Sequence, residues 1–289
     1  MAVTNLSTSK QVYSDLKIFR YPEFISNIKT GTNSPIHIRI KPTNVCNHHC
    51  IYCSYRNPNQ SLGKDMLLTD SIPINKMMEI IDDVISMEVK AVTFSGGGEP
   101  TIYPQFIDVL KKLSTSTVKF AMLTNGVKFT GEISDLFAKY GSWVRISIDG
   151  WDRESYKMFR WADDFDTVMS NIHNFHSDTC WLGLNIVVTK DNANHIYDIV
   201  KLVSKSEVKT IKISPCVVHN DIKRNVYYHA GIKDIVDNQL KFVRDEFKIP
   251  INYTYHDQLS GFTKDYNWCP NIQMQPVIAA DQNIYTCHD

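Results

Sequence analysis

Six short runs of the chain are rich in β-branched and apolar residues: 36–40 (IHIRI), 91–95 (AVTFS), 118–124 (VKFAMLT), 143–149 (WVRISID), 182–189 (LGLNIVVT) and 210–214 (TIKIS). Between them, apolar residues recur at spacings of three and four, as in Met78, Ile81, Ile85; Phe106, Val109, Leu113; Phe165, Val168, Ile172, Phe175; and Ile196, Val200, Val203. After the sixth run, Val236, Leu240, Val243 and Phe247 continue the pattern. Strand alternating with helix predicts an α/β protein with a parallel sheet whose helices cover its outer face. Alternate residues of a strand point to opposite faces. In 143–149, Val144, Ile146 and Ile148 share one face while Arg145, Ser147 and Asp149 share the other. The first run sets Ile36, Ile38 and Ile40 against Arg39 and Lys41, and the sixth sets Ile211 and Ile213 against Thr210, Lys212 and Ser214. With the apolar faces on the helices, the interior is polar and cationic. A closed barrel fills its interior with Val, Ile and Leu, so a wide or incomplete barrel fits better.

These patterns divide the chain into an N-terminal extension (1–33), a barrel core (34–249) and a C-terminal extension (250–289). Pro250 is expected to close the last helix, and the extension to be a separate appendage bearing a β-hairpin with its turn at 280–283 (ADQN). Lys plus Arg equals Asp plus Glu at 31 each, which removes any global field for nucleic acid or an anionic membrane. The first residues lack the apolar core of a signal peptide and no stretch is long enough to span a bilayer, so a cytoplasmic location is expected. Seven cysteines, an odd number with three clustered, point to metal or redox chemistry in place of a disulfide framework.

Cys46, Cys50 and Cys53 follow the first strand directly, at the end where barrel enzymes place their sites. Three thiolates on one loop can hold three corners of a [4Fe–4S] cluster and leave the fourth iron for a small molecule. The alternative is structural zinc, with His48 or His49 completing a Cys3His set. Such zinc sites generally use two separated ligand pairs, and no second pair lies nearby.

The spacing C-x3-C-x2-C, with Tyr52 before the third cysteine, resembles the signature of the radical S-adenosylmethionine (SAM) superfamily. SGGGEP (95–100) after the second strand resembles that family's Gly-Gly-Glu motif, and LTNG (123–126) and SIDG (147–150) also resemble family features. The resemblance implies a partial (β/α)6 TIM-like barrel and a [4Fe–4S] cluster whose open iron chelates SAM. It further implies reductive cleavage of SAM to a 5′-deoxyadenosyl radical that abstracts hydrogen from a substrate, with an electron donor such as flavodoxin or ferredoxin as partner.

The same resemblance gives Gly96, Gly97, Gly98 and Glu99 a place at the SAM amino group, against a turn and a helix-capping carboxylate as the ordinary alternatives. Ser147, Asp149 and Asn125 are candidates for the SAM ribose, with Asn-Gly turn chemistry as the alternative for Asn125. Arg160 resembles the arginine that relatives use on the SAM carboxylate, the alternative being a solvated helix arginine. Tyr52 is a candidate neighbour of the adenine or a packing aromatic, and His48 and His49 are expected to be exposed spacers. Arg39, Arg145 and Lys212 are candidates for a cationic floor under an anionic substrate, the alternative being internal pairing with Asp149 or another acid.

Cys269 and Cys287 resemble the opening of the SPASM or twitch extensions that carry auxiliary iron–sulfur clusters in relatives, with Gln282 where those have glycine. The sequence ends two residues after Cys287, which leads to the expectation of an incomplete extension and leaves an auxiliary cluster open. Cys216 is a further candidate ligand, although it and Cys180 also suit small buried hydrophobes. The substrate expected is a polar, anionic small molecule such as a nucleotide sugar. The alternatives are maturation of a ribosomally made peptide, for which residues 1–33 are too short to form a leader-binding domain, and a non-catalytic iron–sulfur or zinc module.

Overall fold

The computed structural model describes residues 20–25, 34–253, 267, 269 and 271–287. The chain divides into two compact units, Met1–Asn33 and Ser34–Asp289. In the first, the described part is one short helix, α1 (Pro22–Ile25).

In the second unit, all six expected strands form: β1 (His37–Ile40), β2 (Ala91–Phe94), β3 (Lys119–Thr124), β4 (Trp143–Ser147), β5 (Trp181–Val188) and β6 (Val208–Pro215). They pair in parallel in chain order. The helices expected from apolar spacing are α2 (Ile74–Ser86), α3 (Phe106–Ser114), α6 (Phe165–Asn174), α7 (Ile196–Val203) and α9 (Lys233–Glu246). Those that the spacing did not predict are α4 (Gly131–Tyr140), α5 (Arg153–Arg160) and α8 (Ile222–Ala230). Val144, Ile146 and Ile148 are wholly buried in one core with the helix residues Ile81, Val109, Val168, Ile172 and Val200. Phe94 meets Phe106 and Phe120 meets Phe137 edge-to-face, with ring centroids 5.1 and 5.2 Å apart. Each fully buried side chain of this kind contributes about 1.5–3 kcal/mol over leaving it exposed. On α2 the buried stripe is Met77, Ile81 and Val84, one residue off the expected Met78 and Ile85, which pack at its edge.

Two expectations about the C-terminal part need correction. Pro250 does not close α9, which ends at Glu246 with Phe247 as its cap. Pro250 instead accepts a hydrogen bond from Ile211 N–H and leads into a seventh strand, β7 (Ile251–Tyr253), parallel to β6. The tail hairpin is present, as β8 (Val277–Ile278) and β9 (Ile284–Tyr285) with the turn at 279–283, where Gln282 adopts φ 67°. It is not set apart from the barrel, however. Val277 and Ile278 pair in parallel with Arg39 and Ile40 of β1, so the sheet runs β7-β6-β5-β4-β3-β2-β1-β8-β9. Its two ends, β7 and β9, are not paired with each other, and the barrel is partial. The inner face is polar as the alternation required: Lys41, Thr93, Ser95, Asn125, Arg145 and Asp149 are all buried. No described helix is long and apolar enough to cross a membrane.

Candidate active site

The loop that follows β1 carries Cys46, Cys50 and Cys53, all partly buried and free of disulfides. Two neighbouring segments fix its path. On one side, Gly98 N–H donates to Thr43 O at 3.0 Å and Glu99 N–H to Val45 O at 2.9 Å, which lays the Gly-rich loop after β2 against the residues just before Cys46. On the other, His49 N–H donates to Arg160 O and Ile51 N–H to Phe159 O, both at 3.0 Å, so the C-terminal turn of α5 runs along the stretch between Cys46 and Cys53. The start of α5 is set by a capping box in which Asp152 Oδ1 accepts from Ser155 N–H and Ser155 Oγ accepts from Asp152 N–H.

The glycines serve this chain-to-chain approach. A Cβ on Gly98 would lie 1.9 Å from Val45 O, and one on Gly97 2.2 Å from Asn44 Oδ1. The expected close approach is therefore first to the cysteine segment itself. Gly98→Ala is expected to push the two loops apart and to lower iron retained after reconstitution by more than half, measured by iron assay beside wild type.

Glu99 is buried and behaves as the capping alternative required. Its Oε1 accepts from Thr101 N–H, Thr101 Oγ1 and Thr124 Oγ1 at 3.1, 2.7 and 2.6 Å, and its Oε2 accepts from Asn125 N–H at 2.7 Å. Burial raises its pKa, and these donors act against that rise. Oε2, with one donor, retains acceptor capacity for an ammonium group. The Asn125 side chain joins the loops: Nδ2 donates to Asn47 Oδ1 at 2.8 Å, and Oδ1 accepts from Val127 N–H in the turn whose Gly126 has φ 86°.

The largest departure from expectation concerns Asp149 and Arg160. Arg160 is not a solvated helix arginine; it is 3% exposed and its guanidinium pairs with Asp149, which is 0% exposed. Asp149 Oδ2 accepts from Arg160 Nη2 and from Tyr52 O–H, and its Oδ1 accepts from Val187 N–H at 2.6 Å. Oδ2 of Asp149 is thus taken by two donors while Oδ1, with one, keeps acceptor capacity, and the arginine that pairs with Asp149 is Arg160, not Arg145. Burial opposes the Arg160 charge, but Asp149 and its other neighbours hold its pKa well above the usual value. Arg160 Nη1 also points at Cys50 Sγ, 3.5 Å away. The Tyr52 ring packs beside the guanidinium, 5.7 Å from centroid to Cζ. Asn192, wholly buried after β5, fixes the same corner: its Nδ2 donates to Asp149 O and Val187 O, and its Oδ1 accepts from Thr189 N–H. No sequence pattern singled it out.

His48 is likewise not an exposed spacer. It is 1% exposed, with Nε2 3.2 Å from Asp164 Oδ2, and burial together with Arg160 pushes its pKa down to about 4. His49 is exposed as expected. Ser147 is half-buried on the inner face, opposite Asn185. Of the three floor candidates, Arg145 is buried with its guanidinium over Trp143, Arg39 is opposite Thr93, and Lys212 is opposite Asn185 and Asn252. Lys41, buried over the Tyr55 ring, adds a fourth inner cation. A cavity of ≈890 Å³ opens between the ends of β1 and β6, walled by Lys41, Met66, Cys216, Asn225, Asp281 and Cys287 among others. Cys216 and Cys180 are buried, as small hydrophobes would be.

The family described as the radical SAM superfamily matches residues 40–203, from the end of β1 to the end of α7 and more than half of the chain. The chain belongs to the radical SAM superfamily. The chain is 22% identical over 219 residues to a GTP 3',8-cyclase of Clostridium perfringens, covering 75% of this chain and 66% of the cyclase. It is 25% identical over 273 residues to a cysteine-type anaerobic sulfatase-maturating enzyme of Clostridium novyi, covering 86% and 72%. The crystal structure of SuiB from Streptococcus suis bound to S-adenosylmethionine superposes with TM-score 0.69 at 15% identity, over 95% of this chain and 66% of SuiB. The chain thus spans just under two thirds of the cyclase and of SuiB.

Radical SAM proteins use a [4Fe–4S] cluster and SAM, and the donor set here fits the cluster. Each of the three sulfurs has an N–H donor: His48 N–H to Cys46 Sγ at 3.5 Å, Arg160 to Cys50 Sγ, and the Tyr55 and Arg56 main chain to Cys53. Hydrogen bonds to sulfur are one of the means by which proteins tune such clusters. Burial pushes the Cys46 thiol up to about 11 and raises Cys53 as well, so loading with iron is coupled to proton release. Among the described residues no three His, Cys, Asp or Glu side chains converge at the spacing of a single metal ion. His48, one of the two histidines considered for a zinc set, has Nε2 turned to Asp164.

Proposed function

We propose that this radical SAM chain binds a [4Fe–4S] cluster through Cys46, Cys50 and Cys53, cleaves SAM reductively and acts on a polar, anionic small molecule such as a nucleotide sugar. The observation that carries the reading is the main-chain clamp of the cysteine loop between the Gly-Gly-Glu segment and α5. When bound, the cluster and SAM supply a 5′-deoxyadenosyl radical for hydrogen abstraction. The protein's own part is orientation and exclusion of water. Gly97, Gly98 and Oε2 of Glu99 receive the SAM amino group, Ser147 and Asn125 lie toward its ribose, and Arg160 and Tyr52 hold Asp149 as a rigid wall under Cys50. The test is anaerobic reconstitution followed by dithionite and SAM: 5′-deoxyadenosine formation is expected, and its absence from protein with a full iron complement would favour a non-catalytic module.

Four inward cations, Arg39, Lys41, Arg145 and Lys212, support an anionic substrate, and a relative that is named for GTP is in keeping with it. Arg145→Met and Lys212→Met are each expected to weaken nucleotide-sugar binding by about tenfold, or ~1.4 kcal/mol, in calorimetry. Unchanged affinity would turn attention to peptide maturation, the second reading. That reading draws on the acidic residues Asp65, Asp70 and Asp281 in the cavity wall and on SuiB, which has been seen bound to a precursor peptide. Of the tail cysteines, Cys269 is half-buried and Cys287 is exposed in the cavity wall, and both stay candidate ligands for an auxiliary cluster. Free thiols and the cluster favour the reducing cytoplasm, and a small redox protein such as flavodoxin or ferredoxin as electron donor.

A further inference from the structure

The sheet does not join β1 to β6 across its open side. Its edge strands β7 and β9 are not paired with each other, so no backbone ladder crosses from the β1 end to the β6 end. Side chains cross instead, in the loops that follow the two strands. Gln60 Nε2 donates to Val217 O, and Asn220 Oδ1 accepts from Ser61 N–H at 3.0 Å and from Ser61 Oγ at 3.3 Å. These bonds tie the segment after the cysteine loop to the loop after β6, and both segments wall the ≈890 Å³ cavity.

The two sides of this bridge are built differently. The β6 side is fixed. Asn225 of α8, 6% exposed, accepts from Val218 N–H and His219 N–H at 2.8 and 3.2 Å through Oδ1 and donates to His219 O at 2.7 Å through Nδ2. The other side has no apolar anchor, since Gln60 alone is buried between Ser54 and Asp70. Residues 54–66 contain no helix or strand and close into local turns, with Gln60 N–H donating to Asn57 O, Lys64 N–H to Ser61 O and Met66 N–H to Gly63 O. The base of the segment is pinned where Gly63 lies against Tyr55, because a Cβ there would fall 1.9 Å from Tyr55 O. Segments with few buried apolar contacts are the ones that open most readily. Here opening means losing the bonds of Gln60 and Ser61 while the turns and the pinned base persist.

We propose that residues 57–62 are a gate over the ≈890 Å³ cavity, latched by Gln60 and Ser61 to Val217 and Asn220 and released to admit the substrate. Closure of such a loop excludes water from the chemistry. The gate goes beyond the radical SAM reading, and its test needs no turnover.

Two matched cysteines provide the readout. Cys216 and Cys180 are each 3% exposed, and burial pushes both thiols up to about 12. Cys216 lines the cavity, directly before Val217, whereas Cys180 belongs to the apolar core at the start of β5. Alkylation needs access and a thiolate, so opening the gate speeds it at Cys216 and not at Cys180.

The test treats the full chain, reconstituted anaerobically, with iodoacetamide and follows each cysteine by peptide mass spectrometry. In the double variant Gln60→Ala, Asn220→Ala, labelling of Cys216 is expected to speed up by about tenfold, the effect of removing hydrogen bonds of ordinary net strength. Cys180 is expected to stay within about twofold of wild type, since local opening leaves the core closed. Asn220→Ala alone, at an exposed position where folding is not at issue, is expected to give about threefold at Cys216. Unchanged labelling of Cys216 would overturn the proposal. So would an equal rise at both cysteines, which would mean general loosening, or a wild-type Cys216 labelled as fast as in the urea-unfolded chain, which would mean a cavity that is never closed. Absence of 5′-deoxyadenosine from the same preparations would instead bring down the functional reading and leave the gate standing.

Discussion

Arg160→Ala is expected to destabilise the protein by about 3–5 kcal/mol, because it leaves a buried carboxylate without its counter-charge. Asp149 would keep Tyr52 O–H and Val187 N–H as donors but lose the cation it pairs with. Urea unfolding of the metal-free chain measures this directly. Asp149→Asn combined with Arg160→Met is expected to recover a large part of the loss, since removing both charges removes the uncompensated one. The double variant is not expected to recover iron content, because Arg160 also supplies the N–H donor to Cys50 Sγ. A double variant as unstable as Arg160→Ala would show that packing around the guanidinium outweighs the charge pair.

Replacing Cys46, Cys50 and Cys53 together by alanine is expected to abolish both iron binding and 5′-deoxyadenosine formation while leaving the metal-free fold intact. The three thiols are partly buried on one loop, outside the apolar core, and that loop is held by main-chain bonds from Gly98 and Glu99 to Thr43 and Val45 just before it and from His49 and Ile51 to Arg160 and Phe159, all of which alanine preserves. The measurements are iron per chain, the visible absorption of the reconstituted protein, and turnover with dithionite. Retention of one equivalent of zinc by the wild type in place of iron would remove the cluster reading altogether.

The strands were legible because each carries two or more apolar residues at period two, and because a polar inner face leaves that alternation unobscured. The cysteine loop was legible from spacing alone. What escaped was whatever depended on partners distant in sequence. α5 buries Ser155, Tyr156, Phe159 and Arg160, a set with no conventional apolar stripe, so its role as the clamp on the cysteine loop did not show. Asp149 and Ser147 share a strand face, but only the folded helix brings Arg160 back onto Asp149. β7 and β8 are three and two residues long, too short for any period, and nothing in Val277–Ile278 announces β1 as its neighbour.

That last pairing has a consequence for the order of events during synthesis. β2 can join β1 as soon as residues 91–94 emerge, but the other edge of β1 waits for residues 274–278: Ile36 N–H is satisfied by Met274 O, Arg39 N–H by Pro276 O and Lys41 N–H by Ile278 O. Until then a row of open donors stands immediately ahead of the cysteines, ready to recruit a stray strand from another chain. A segment more than 230 residues downstream is therefore the guard of the first strand's open edge.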